Sequence, residues 1–243
     1  VRKYYIRHKI KVGDITNLSD IDGELITANN EIKEEDIISV YAPNGTFKAE
    51  TTFVEGKSVE VEILSKVSDI NSPIDTSNLV LIQSLSKDSK FKLIIEKSVE
   101  IGVDELYPTE THYSNINVKR AKKSISTWSQ IVSAATEQSR NPNPTYVHTP
   151  CKLEELDLSP YDSYEKICLS SQSNETQSLA DSLDSVTNNY LVAIGPETGW
   201  HSDDLHFFTE HNFKFIELMG NILRTETAPI VISSIIKFHQ GKL

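Results

Sequence analysis

Two short glycine-bearing loops, Ile194-Gly-Pro-Glu-Thr-Gly199 and Gly220-Asn-Ile-Leu-Arg-Thr-Glu-Thr-Ala228, carry residue types suited to holding a small molecule. Gly195, Gly199 and Gly220 would let a backbone approach a ligand with no Cβ in the way. Beside them stand a guanidinium, Arg224, and the carboxylates Glu197 and Glu226. Each loop follows an apolar strand-like run, Tyr190-Leu-Val-Ala-Ile194 or Phe215-Ile-Glu-Leu218. Each leads into a helix-like pattern that opens with Ser/Thr and carboxylates, a helix-start signal. Strand–loop–helix units place their loops at the carboxyl ends of sheet strands, where α/β proteins bind ligands. Two such loops from neighbouring strands can close around one small molecule. The chain lacks Gly-x-Gly-x-x-Gly, Gly-x-x-x-x-Gly-Lys-Ser/Thr and Gly-x-Ser-x-Gly, so the usual phosphate turns and the nucleophile elbow are missing.

The elements that position these loops fall into two parts. Residues 1–70 read as short β runs: Tyr4-Tyr-Ile-Arg7, Ile37-Ile-Ser-Val-Tyr41, Thr46-Phe-Lys-Ala-Glu50 and Val59-Glu-Val-Glu-Ile63. Several alternate apolar and polar residues as half-buried antiparallel strands do, and Pro43-Asn-Gly45 supplies a turn. A small β-barrel is the natural reading. Asp69 to Asn78 is polar and turn-rich, and residues 71–78 are assigned as a linker. From Leu79 to Leu243 strands alternate with helices, which implies an α/β domain with a mainly parallel sheet covered by helices. Leu79-Val-Leu-Ile82 and Lys166-Ile-Cys-Leu169 are expected strands. Phe91, Ile94, Ile95 and Val99 have helical spacing between Lys90 and Ile101. One long helix is expected to carry Val118, Ile125, Trp128, Val132 and Ala135. The last helix, about Glu226 to His239, is expected to bury Ala228, Val231, Ile232 and Ile235, with Pro229 tolerable in its first turn.

The net charge of −11 argues against non-specific nucleic-acid binding, which depends on Lys/Arg neutralising phosphates. Its distribution leaves room for a small basic face: residues 87–140 hold 9 basic against 7 acidic side chains, whereas residues 141–243 hold 6 against 14. No run approaches the roughly 18 apolar residues of a membrane span. Cys151 and Cys168 form neither a Cys-x-x-Cys site nor a disulfide framework, and a reducing cytoplasm is the expected compartment. His201, His206 and His211 fall five apart and share no helix face, so surface or capping roles are expected and no metal site is assigned.

The loops also carry a family likeness. Gly195-Pro-Glu-Thr-Gly199 followed by Ile222-Leu-Arg-Thr-Glu-Thr-Ala228 resembles the RsmE-type ribosomal RNA uridine-N3 methyltransferases of the SPOUT class. Lys97-Ser-Val-Glu-Ile-Gly-Val103 with Pro108, and Trp128-x-x-Ile131…Ala134-Ala-Thr-Glu-Gln-Ser139, resemble two further family segments in the same order. The likeness runs from about Leu79 to Leu243. It implies a PUA-like N-terminal barrel, a C-terminal domain with a deep trefoil knot, a homodimer, and S-adenosylmethionine as cofactor. On that likeness the cofactor site comprises Ile194, Gly195, Pro196, Glu197, Gly199, Leu218, Gly220, Ile222, Leu223, Thr225 and Ala228. Leu218, Ile222 and Leu223 would wall the adenine and Glu197 would accept from ribose hydroxyls. Arg224 would stabilise the uridine anion as an oxyanion hole does, and Glu226 or Glu197 would take the N3 proton. The plainer alternative has Glu226 capping its own helix and pairing with Arg224.

Departures from the family thin the positive charge. Glu31 stands at a basic position, Tyr113 replaces Arg in Thr111-His-Tyr-Ser114, and Arg140-Asn-Pro142 has lost one Arg. Asn221 replaces another Arg and Thr198 a glycine. The basic groups left for RNA are Arg2, Lys3, Arg7, Lys9 and Lys11, with Lys119, Arg120, Lys122, Lys123 and Arg140. The implied partner is 16S ribosomal RNA or the small ribosomal subunit. Another RNA substrate, or a non-catalytic RNA-binding or assembly factor with the same fold, are the alternatives.

Overall fold

A computed structural model of the chain describes residues 4–6, 9–18, 32–42, 44–55, 58–68, 78–139, 141, 144–170, 178–183, 188–218 and 220–243. Arg2, Lys3, Arg7, Glu31, Arg140 and Pro142, and the expected linker up to residue 77, lie outside the described residues. The chain divides into two compact units, Val1–Asp75 and Thr76–Leu243.

In the first unit, strands β1 (Tyr4–Tyr5), β2 (Ile15–Asn17), β3 (Ile37–Ala42), β4 (Gly45–Glu55) and β5 (Ser58–Ser68) form one sheet. Its order is β1-β3-β4-β5-β2. The alternation seen in the sequence becomes an inward row: Phe47, Ala49, Val59, Val61 and Ile63 are buried with Tyr4, Ile10 and Val40. Ala42 pairs with Gly45, so β3 and β4 turn back within two residues, as the Pro-Asn-Gly signal implies. Asn44 closes that turn against the preceding segment, its amide donating to the Ile10 carbonyl at 2.7 Å. The alternating runs β3, β4 and β5 pair antiparallel, whereas β1 runs parallel to β3. The short β2, antiparallel to β5, carries too few alternating residues to stand out in the sequence.

The second unit is a parallel sheet. Its strands are β6 (Leu79–Ser84), β7 (Glu105–Glu110), β8 (Tyr146–Val147), β9 (Cys151–Lys152), β10 (Glu165–Leu169), β11 (Tyr190–Ile194) and β12 (Lys214–Ile216). The order is β12-β10-β11-β6-β7-β8, with β9 also on β7, and every pairing is parallel. Every residue of β6 and β11 is buried, because both faces are covered; hence the unbroken apolar runs Leu79–Ile82 and Tyr190–Ile194.

Helices α1 (Asp88–Ile101), α2 (Val118–Ala121), α3 (Ile125–Ser139), α4 (Leu179–Leu183), α5 (Ser202–Glu210) and α6 (Thr227–His239) connect the strands. In α1, Phe91, Ile94, Ile95 and Val99 point inward as their spacing requires, and Phe91 packs on Trp128 with ring centroids 4.8 Å apart. The single long helix expected around Trp128 is broken: a 3-10 turn, Lys122–Ser124, separates α2 from α3. In α6 the buried stripe is Ala228, Pro229, Ile232, Ser233, Ile236 and Lys237. Ile236 faces in and Ile235 is 37% exposed, which reverses the expected edge of that stripe. Among the described residues no helix is long and apolar enough to cross a membrane.

Candidate functional site

A cavity of about 540 Å³ opens at the carboxyl ends of β10, β11 and β12. The two glycine loops do not follow adjacent strands: β11 and β12 flank β10, so the end of β10, Leu169-Ser170, forms a third wall between them. All eleven residues expected to form the small-molecule site line this cavity: Ile194, Gly195, Pro196, Glu197, Gly199, Leu218, Gly220, Ile222, Leu223, Thr225 and Ala228. Arg224 lines it too, with Asn221. Ile222 is 98% exposed, so it sits on the rim and forms no buried wall.

Three ties hold the loops together. First, the Thr225 hydroxyl donates to the Gly195 carbonyl at 2.8 Å and accepts from the Gln83 amide at 3.4 Å, linking both loops to the end of β6. Second, the buried Trp200 indole donates to the Leu169 carbonyl at 2.8 Å and packs on Phe208 of α5. A Cβ built on Gly195 would lie 3.0 Å from the Trp200 ring, so this glycine makes room for the indole. Gly220 has φ +125 with open space around it, and there the backbone angle is what excludes other residues.

Third, Lys90 of α1 reaches over the cavity edge and pairs with Glu197 on the first loop and Glu226 on the second, the latter at 3.1 Å. The hydrogen bonds that Lys90 donates to Glu197 and then to Glu226 raise its ammonium above its usual value. Burial acts to raise the Glu226 carboxyl, but its own backbone N–H, Lys90 and Arg224 outweigh that and leave it below the ordinary carboxylate value. A carboxylate so stabilised is a weaker proton acceptor. Glu226 occupies the residue before α6 but makes no side-chain capping bond. The capping alternative therefore fails, and its ion-pair partner is Lys90.

Lys90, Gln83, Trp200 and the Leu169-Ser170 wall escaped sequence reasoning. Nothing in the spacing separates Lys90 from Lys87 or Lys92; only the fold brings it to the loops. Of the basic residues assigned to RNA, Lys119, Arg120 and Lys123 are exposed together on α2 and the 3-10 turn after it, and Lys9 is exposed in the first unit.

The histidines behave as helix ends and surface groups. His201 accepts from the Asp203 N–H at 3.2 Å at the start of α5, His206 lies 3.3 Å from Glu210, and His211 follows α5. One neighbour was not foreseen: His112 stacks on His201, and with Asp203 their donor atoms lie within 4.8 Å of one another. The imidazole planes are only 13° apart, so their in-plane lone pairs run almost parallel and do not converge on one ion.

The RNA methyltransferase domain matches residues 73–237, two-thirds of the chain. The chain belongs to the RNA methyltransferase family. The ribosomal RNA small subunit methyltransferase E of Buchnera aphidicola subsp. Schizaphis graminum is 28% identical over 100% of this chain and 98% of that protein. The Aquifex aeolicus protein of the same name is 30% identical over 70% of this chain and 72% of its own length. Among solved structures, the Neisseria gonorrhoeae ribosomal RNA small subunit methyltransferase E bound to S-adenosyl methionine matches with a TM-score of 0.61 and 28% identity. That match covers 97% of this methyltransferase-family chain and 96% of the other.

Proposed function

We propose that this protein transfers the methyl group of S-adenosylmethionine to N3 of a uridine in 16S ribosomal RNA. The observation that carries this reading is the convergence of both glycine loops and Arg224 on one cavity at the carboxyl ends of β10, β11 and β12. The relatives named as small-subunit ribosomal RNA methyltransferases, one of them solved with S-adenosyl methionine, supply its substrate and cofactor.

The cavity suits the cofactor in size and chemistry. Its volume lies in the range of small-molecule sites. Ile194, Pro196, Leu218, Leu223 and Ala228 offer apolar surface to a purine, and the loop backbones offer donors and acceptors to its edge. Glu197 and Glu217 bring negative charge to a ligand that carries a sulfonium. When bound, that sulfonium supplies an electrophilic methyl.

The chain's own residues prepare the acceptor. Uridine N3 becomes nucleophilic when its proton leaves and the charge spreads to the two flanking carbonyl oxygens. Arg224 holds that charge at the cavity rim. The N3 proton leaves to solvent, since Lys90 pairs with Glu197 as it does with Glu226, and the methyl would then pass from the sulfonium to N3. Glu226, held ionised by Lys90, serves to fix the second loop.

The family likeness extends this reading to a PUA-like barrel in residues 1–70, a linker at 71–78, a SPOUT-like knotted domain from 79 to 243, and a cytoplasmic site of action. The same reading includes a homodimer formed through the C-terminal unit. Ile235, Phe238 and Leu243 leave apolar surface exposed on and beyond α6, whereas Phe208 and the half-buried Phe207 of α5 pack into their own core. Light scattering at micromolar concentration is expected to give twice the chain mass; a monomer mass overturns the dimer.

The direct test is a titration with S-adenosylmethionine, followed by methyl transfer to 16S ribosomal RNA and mapping of the modified nucleotide. Saturating cofactor is expected to raise the melting temperature by mass action. Gly195→Val is expected to abolish that rise, because the added Cβ meets Trp200 and displaces the first loop. Absence of both heat and melting shift in the natural protein would sink the cofactor assignment. A methyl on another nucleotide or another RNA moves the substrate while leaving the chemistry.

The Lys90 tie predicts a pH dependence of its own. Lys90 is raised above 10.5, so its contribution is complete below that pH and fades as pH climbs through the raised value. Glu226 is lowered below 4.5, so its contribution is complete above that pH and fades as pH falls through the lowered value. Cofactor affinity should therefore be flat through the neutral range. Lys90→Met is expected to weaken it by up to about 5-fold there, with partial recovery as acid protonates the unpaired carboxylates. Unchanged affinity in that variant shows that the tie does not position the loops.

A further inference from the structure

Three rings meet where β7 ends, one residue along the chain from the cavity wall at Trp200. His112 and His201 stack with centroids 3.7 Å apart. Tyr113 stands edge-on to both, 4.9 Å from His112 at 89° and 5.5 Å from His201 at 83°. The buried Asp204 carboxylate fixes the base of this group. It accepts from the backbone N–H of His112 at 3.3 Å and from that of His201 at 3.2 Å, joining the loop after β7 to the start of α5. Tyr113 itself remains 44% exposed.

We propose that Tyr113, braced by the His112–His201 stack, is a stacking platform for one unpaired base of the RNA substrate beside the reacting uridine. The inference rests on the RNA-methyltransferase reading and names how the substrate is gripped. An aromatic ring already held in place by its neighbours loses little freedom when a base stacks on it, and unstacked RNA bases are recognised on such rings. Charge excludes phosphate as the partner at this spot. Asp203 lies 3.4 Å from His201 with its own side chain 85% exposed, and would repel a phosphate. The cations that can hold the backbone, Lys119 and Arg120, follow on the same crossover in α2. The stack is equally unsuited to a metal ion, since both imidazoles cannot turn their lone pairs to it without separating. An aromatic platform one residue along the chain from Trp200 also accounts for how a chain with Tyr113 in place of a family arginine can retain grip. Stacking replaces one ionic contact.

The test uses the full chain and a fluorescein-labelled 12-residue oligouridine, titrated at several salt concentrations. Tyr113→Ala is expected to weaken binding about 5- to 150-fold, the range for loss of one base–aromatic stack. The slope of affinity against salt should stay the same, because no phosphate contact is lost. Tyr113→Phe keeps the ring and should bind as the natural protein does. Equal affinity in Tyr113→Ala overturns the platform, as does a loss that Phe fails to restore or one that comes with a shallower salt slope. An absence of oligouridine binding by the natural protein overturns it too. Methyl transfer to 16S ribosomal RNA, measured alongside, separates this inference from the enzyme reading. Transfer with an unchanged KM for RNA in Tyr113→Ala removes the platform and leaves the enzyme. No transfer by the natural protein, with weakened oligouridine binding in Tyr113→Ala, does the reverse.

Discussion

Replacing Arg224 with alanine is expected to slow the methyl-transfer step by on the order of 10²–10³, the loss that follows removal of a single oxyanion donor. The Arg224 carbonyl accepts from the N–H groups of Thr227 at 2.9 Å and Ala228 at 3.0 Å, so its backbone is tied to the first turn of α6. Its neighbour Thr225 is locked to Gly195. The guanidinium therefore projects from a fixed base, while its own side chain stays exposed at the cavity rim where a uridine must arrive. A pre-set cation stabilises a developing anion without having to reorganise. Cofactor affinity should change little, since the glycines and apolar walls remain. Single-turnover transfer with saturating RNA isolates the chemical step. Should Arg224→Ala keep that rate while RNA affinity falls, Arg224 grips phosphate and has no part in stabilising the anion. The scarcity of other arginines sharpens that contrast: Arg120 and Arg224 are the only two among the described residues.

Much of the cavity lining was legible because the two glycine loops after apolar strands carry the family likeness in short, local segments. Each of the eleven lining residues expected from the sequence sits within one loop or its immediate flank, where position along the chain fixes position in space. Lys90 was not legible for the opposite reason. It stands on a helix face far from either loop in sequence, and its partners are set by how α1 crosses the sheet. The same limit applied to strand order. Alternating strand and helix patterns imply a parallel sheet, yet nothing in them says that β10 lies between β11 and β12, so the third wall at Leu169-Ser170 went unseen. The helix errors have local causes. Lys122-Lys-Ser124 has ordinary helical propensity, so the 3-10 turn that parts α2 from α3 leaves no mark in the apolar spacing around it. In α6, Ile235 and Ile236 are equally apolar neighbours, and a rotation of one residue decides which is buried.

Lys237 is where that rotation is enforced, and it supports the largest stability prediction. A lysine on the buried face of α6 would read as a patterning defect, but its ammonium lies 2.9 Å from the Asp104 carboxylate with the side chain only 3% exposed. The same carboxylate oxygen accepts from the Leu79 N–H at 2.8 Å, so the pair ties α6 to the beginning of β6 and the turn before β7. The lysine stem runs over Gly102, where an added Cβ would lie 4.0 Å from its Cε. Lys237→Met keeps most of that packing and removes the charge, leaving Asp104 with an unmatched carboxylate. Asp104 is 28% exposed and keeps the Leu79 N–H, so breaking the pair costs less than for a fully buried one, about 2 kcal/mol. For a unit of this size that corresponds to a fall of about 4–8 °C in melting temperature. Lys237 is shielded from solvent and Asp104 only partly exposed, so salt should reduce the fall less than it does for a surface ion pair. Asp104→Asn with Lys237→Met should recover part of the loss, because the double variant buries no lone charge. A melting shift under about 2 °C for Lys237→Met, or simple additivity in the double variant, would show that shape alone orients α6. Since α6 begins at the loop that carries Arg224, a slipped helix should also misplace the guanidinium. Lys237→Met is therefore expected to lower the transfer rate at temperatures well below its own melting point.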